Sequence, residues 1–172
     1  MEGRAKALGH SIHPMLIVFP LGLLTTAVIF DIVYLVTERP GFAITSAYCI
    51  GAGVLGGLVA AVFGLIDWLA VPGGTRAKRV GMWHGLGNVL VVALFAVSWL
   101  FRLGDEAWRP GAGALVLSFA GVVVATITAW MGGELVSRMA VGVDDGAGLD
   151  APSSLSRGKL AAARGQAAPR HG

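Results

Sequence analysis

"PMLIVFPLGLLTTAVIFDIVYLV", residues 14–36, runs for 23 positions with one charged side chain, Asp31. About 20 mostly apolar residues make a helix long enough to cross the hydrocarbon core of a bilayer. This stretch therefore reads as a membrane span, and the rest of the chain repeats the pattern. Residues 44–71 carry only Asp67, near their end; residues 83–101 carry no charge but hold His84 and Asn88; residues 112–139 carry Glu134 and Arg138 near their end. The connectors "TERPGFA", "PGGTRAKRVGM" and "RLGDEAWRPG" are short. Short connections make successive helices antiparallel neighbours. The expected fold is all-α: an integral membrane, up-down four-helix bundle.

Composition agrees. Of the 172 residues 55% are hydrophobic and only 13% are charged, against about 25% charged in soluble domains. Arg4 and Lys6 precede the first span in the manner of a signal peptide, but the apolar run is long and no small-x-small site ends it, so it reads as a retained anchor. The lone Cys49 excludes a disulfide framework and a multi-cysteine metal cage. A net charge of +3, without a basic stripe, gives no nucleic-acid interface. After about residue 143 the apolar periodicity stops and Ala, Gly, Ser, Pro and Arg take over. The chain thus divides into a four-span domain, residues 1–143, and a flexible, disordered C-terminal tail, residues 144–172.

Lysine and arginine set orientation in the membrane. The side holding the N-terminus, the second connector and the tail has ten of them, the opposite side three. Both termini are expected in the cytoplasm, with the bilayer as the first partner. Trp68 and Trp83 suit an inner aromatic belt, Trp99 and Trp108 an outer one.

The antiparallel layout brings polar residues to one depth. His13 starts the first span, Asp67 ends the second, His84 and Asn88 start the third, and Glu134 ends the fourth. Ionisable residues inside a membrane are costly and are functional candidates by default. His13, Asp67, His84 and Glu134 are therefore expected to converge at the cytoplasmic mouth. Pro14 fits a first helical turn, which puts His13 at the cap; His10 reads as a solvated loop residue. Asp31 shares the face of His13 five turns on, at the opposite end of the span, where Arg39 or Arg102 could pair with it. Each residue has a plainer role: the histidines as bundle hydrogen-bonders, Asp67 paired with a histidine or Arg76, Glu134 with Arg138, Asn88 as an interhelical bond. Asp31 and Asn88 are assigned to a structural polar network. Small residues at four-residue steps, Gly53, Gly57 and Ala61, then Gly121, Ala125, Ala129 and Gly133, form faces for close helix packing. Pro20 is placed to kink the first span.

Together "HPMLIVFPLGLL", Asp31, "FGLIDW", "WHGLGN" and "GGELV" make the chain resemble domain-of-unknown-function family 2231, from Gly9 to Val143, with a further touch at "DAPSSLS". The resemblance implies a four-span, mostly bacterial membrane protein, here of the inner membrane, and a redox setting through relatives fused to cytochrome or iron–sulfur type domains. Where many relatives have a further histidine this chain has Val18, and where others begin His-Pro it has His10-Ser11.

Three functions stay open. His13 and His84 could ligate heme iron, or with Asp67 and Glu134 a transition metal, in an accessory or binding subunit of a redox membrane complex. The same residues could form a purely structural network. Asp31, Asp67, His84 and Glu134 could relay ions or protons. No nucleophile elbow, zinc-protease motif, phosphate loop or dinucleotide fingerprint is present, so an enzyme is the least supported class.

Overall fold

The computed structural model describes residues 1–156; the rest of the expected tail lies outside the described residues. A two-stranded hairpin opens the chain, β1 (Lys6–Ala7) against β2 (His10–Ser11). Leu8 and Gly9 form its turn with φ of 51° and 84°. Positive φ at both central residues is the two-residue turn that matches strand twist.

The helices follow: α1 (Ile12–Leu16), α2 (Val18–Thr37), α3 (Pro40–Ala70), α4 (Arg76–Leu100) and α5 (Ala112–Ser137). With α1 and α2 taken as one rod, Ile12–Thr37, four helices among the described residues are long and apolar enough to cross a membrane, with mean hydropathies of 2.3, 2.3, 1.8 and 2.1. The fold is the four-span bundle that the apolar runs predict. The first helix begins at Ile12, so Pro14 is its third residue, where a backbone donor would be an orphan anyway. His13 accordingly lies in the first turn, not at the cap. The rod breaks at Ile17, three residues before Pro20. Pro20 has no N–H for the Leu16 carbonyl and its ring crowds that carbonyl, so the ladder is interrupted there.

The other ends are built locally. α3 starts with Pro40 in its first turn and stops just before Pro72. Thr75 caps α4, its Oγ1 accepting from the Lys78 N–H at 3.1 Å. Trp68 and Lys78 clasp the same connector: the indole N–H donates to the Lys78 carbonyl, Nζ donates to the Trp68 carbonyl at 2.7 Å, and Nζ lies 3.9 Å from the ring centroid.

Leu24, Ala27, Val28, Ile50, Val91 and Phe95 form the buried core. Most other large apolar side chains point outward, among them Val36, Leu55, Val89 and Val123. That distribution suits a bundle solvated by lipid, where small residues rather than hydrophobic burial bring helices together. Gly53 admits Leu24, Gly57 admits Val92, and Gly121 admits Phe95. The ladder on α5 differs in one respect: Gly132, not Gly133, is the seat for a neighbouring side chain.

Candidate functional site

Two polar layers cross the bundle at opposite ends. In the layer near the 71–75 connector, His13 reaches from α1 to α3. Its Nδ1 lies 2.9 Å from the Ala60 carbonyl oxygen, and its ring rests on Gly64, where a Cβ would come within 2.8 Å of Cε1. His84 reaches from α4 to α5 in the same way: Nδ1 is 2.9 Å from the Thr128 carbonyl oxygen, and the ring rests on Gly132, where a Cβ would come within 3.1 Å of Cε1. A carbonyl only accepts, so each Nδ1 carries a proton.

Asn88 completes the arrangement around His84. Its amide nitrogen is 3.1 Å from His84 Nε2 and donates also to the His84 carbonyl at 3.0 Å, while its oxygen accepts from Thr128 Oγ1 at 3.1 Å. His13 Nε2 has no hydrogen-bond partner among the described residues. Both residues are half-buried.

The two carboxylates of the expected cluster are held elsewhere. Asp67 Oδ1 accepts from the backbone N–H groups of Arg4 at 2.7 Å and Ala5 at 3.1 Å, tying the N-terminal segment to the end of α3. Its partner is therefore main chain, not Arg76 or a histidine. Glu134 pairs with Arg76 at 3.3 Å, not with Arg138, because Arg76 opens α4 beside the end of α5. Among the described residues no group of three or more His, Cys, Asp or Glu can hold a metal ion. Each histidine is thus tethered to its own neighbouring helix, His13 to α3 and His84 to α5, while Asp67 and Glu134 are bonded to other groups. His10 opens β2 of the N-terminal hairpin, Nδ1 3.3 Å from the Leu8 carbonyl, and is exposed.

The opposite layer is the ion pair of Asp31 with Arg102, the second of the two partners open to it. Both side chains are fully buried. Arg102 donates through Nη1 to Asp31 Oδ1 at 2.8 Å and through Nη2 to Oδ2 at 2.7 Å. It also donates to Ser46 at 3.1 Å, Ser98 at 3.3 Å and Ser118 at 3.2 Å, so one guanidinium gathers side chains from all four spans. The serines escape sequence reasoning because single hydroxyls are common in membrane helices. A usable signal existed: Ser98 and Arg102 are four apart, on one helix face.

An apolar exterior around two internal polar layers is the build of a polytopic membrane protein. The chain belongs to domain-of-unknown-function family 2231, described as a predicted membrane protein, whose model matches residues 9–145. No curated protein and no solved structure matches it.

Proposed function

We propose that the protein is an accessory or binding subunit of the bacterial inner membrane, both termini cytoplasmic, with His13 and His84 as its ligand site. One observation carries this reading: both imidazoles are tethered through Nδ1 to a main-chain carbonyl at 2.9 Å. A ligating histidine almost always anchors its other nitrogen in this way, which sets tautomer and ring orientation. The donor set, two imidazoles from two spans, would suit a heme iron, which would supply one-electron chemistry. It fits a four-ligand His/Asp/Glu metal site less well, since Asp67 and Glu134 have other partners. The orientation rests on the ten-to-three excess of Lys and Arg on the side of the termini. A redox membrane complex is the partner that a heme-carrying subunit would serve.

The second reading is a structural network that clamps the bundle end. The ring formed by His84, Asn88 and Thr128 favours it, because the Asn88 amide occupies the lone pair of His84 Nε2. The test is the absorption spectrum of the protein purified in mild detergent, oxidised and then reduced. A Soret band that shifts on reduction and disappears in His84→Ala supports the heme-binding reading. A featureless visible spectrum in wild type returns the histidines to the network.

A further inference from the structure

We infer that the chain is a tandem copy of one helical hairpin, and that the duplication makes His13 and His84 the two equivalent halves of one site that holds a single ligand between their Nε2 atoms. The second clause rests on the binding function proposed above; the first rests on contacts alone.

His13 and His84 stand 71 positions apart, as do Leu24 and Phe95, and Asp31 and Arg102. On the partner helices the offset is 68: Gly53 and Gly121, Ala60 and Thr128, Gly64 and Gly132. The contacts that join these residues in the first hairpin recur between the shifted residues of the second. His13 bonds the carbonyl of Ala60 and sits on Gly64; His84 bonds the carbonyl of Thr128 and sits on Gly132. Leu24 presses on Gly53, with 2.7 Å from Cδ2 to an added Cβ; Phe95 presses on Gly121, with 2.6 Å from Cε2. The drop from 71 to 68 means that the second hairpin is three residues shorter between its paired landmarks. Two hairpins of two spans each run through the membrane in the same sense, which relates parallel repeats by an axis along the membrane normal.

Equivalent residues can meet each other only at such an axis. Asp31 and Arg102 do so at one end, in direct contact. His13 and His84, five helical turns from that pair and held by matching tethers, take the equivalent positions at the other. Each pair is separated by the same eighteen residues along its own half, about 27 Å of helix. The halves are unlike where they touch: a carboxylate in one copy, a guanidinium in the other. Two first hairpins would oppose carboxylates and two second hairpins would oppose guanidiniums, so the charges select pairing of unlike halves. Asn88 is the departure from equivalence, since its counterpart is Ile17, at the helix break.

A site shared by equivalent imidazoles takes one ligand per chain and depends on both rings alike. The test is a titration of the purified full-length protein in detergent with hemin, read by Soret stoichiometry and by electron paramagnetic resonance. One hemin per chain with a low-spin, six-coordinate spectrum is expected. It should become high-spin to a similar extent in His13→Gly and in His84→Gly, and free imidazole should restore the low-spin form in both. That rescue separates a lost ligand from a misfolded variant. Binding that depends on one histidine only, or two hemins per chain, overturns the shared site and leaves a heme-binding reading standing. Failure of wild type to bind hemin removes both.

Discussion

Arg102 and Asp31 meet as a two-pronged ion pair, Nη1 to Oδ1 at 2.8 Å and Nη2 to Oδ2 at 2.7 Å, with no exposure of either side chain. Removing one partner of a buried pair strands the other charge, which costs about 3–5 kcal/mol, whereas an apolar pair of similar volume can be neutral. Arg102→Leu should therefore unfold at much lower temperature in detergent. Asp31→Leu/Arg102→Leu should recover most of the loss. Thermal melts followed by circular dichroism check this; a double variant no better than the single one rules the account out.

The same layer tests the internal duplication without any ligand. Ala27 and Ile50 are the counterparts of Ser98 and Ser118. Transposing the cluster, with Ala27→Ser, Asp31→Arg and Ile50→Ser against Ser98→Ala, Arg102→Asp and Ser118→Ile, should preserve helicity and a monodisperse elution profile. Arg102→Asp alone should lose both, because two buried carboxylates then face each other.

Gly53 and Gly121 should not accept an added methyl without loss. An added Cβ would come within 2.8 Å of Leu24 Cγ in one case and 2.6 Å of Phe95 Cε2 in the other, and Phe95 is fully buried. Overpacking of this kind costs about 1–3 kcal/mol. Gly22→Ala, with nothing within 4 Å of the new methyl, is the control and should be neutral or stabilising. Comparative melts of the three variants decide it.

Asp67→Ala should release the N-terminal hairpin, whose Arg4 and Ala5 amides it accepts. Trypsin should then cleave at Arg4 or Lys6 several-fold faster while the spans stay protected. Unchanged cleavage would mean that the hairpin is held by its other contacts.

In the connector between α4 and α5, Arg109 holds the Asp105 carboxyl below its usual range, through Nε at 3.1 and 3.0 Å from the two oxygens, with help from the Ala107 and Arg109 amides. A carboxylate whose folded pKa is depressed stabilises above its unfolded pKa, about 3.9, and that contribution fades as pH falls through the lower folded value. Amide exchange protection at Ala107 should thus persist as pH drops through 4 and fade only below it. Asp105→Asn should be flat over the same range.

The spans, their order and their small-residue faces were legible in the sequence because each is a property of one segment: apolar length against bilayer thickness, or glycine at helical spacing. The Asp31–Arg102 pair was half legible, since the face and depth of Asp31 follow from its distance along one helix but its partner does not. Asp67 and Glu134 found unexpected partners, the Arg4 and Ala5 amides and Arg76, because loops and helix ends decide who stands beside a carboxylate at the membrane mouth. The repeat was present in the sequence all along, at His13/His84, Leu23/Leu94, Gly53/Gly121 and Gly64/Gly132. Too few identities mark it for comparison of letters to reveal it.

By itself, then, the sequence determined that this chain crosses a membrane four times and that few polar groups enter the apolar layer. Tertiary structure decided which of those groups face each other, because facing depends on the rotation and crossing of two helices about a common axis. Only there do His13 and His84 take up matching tethers, and only there does one buried guanidinium reach all four spans.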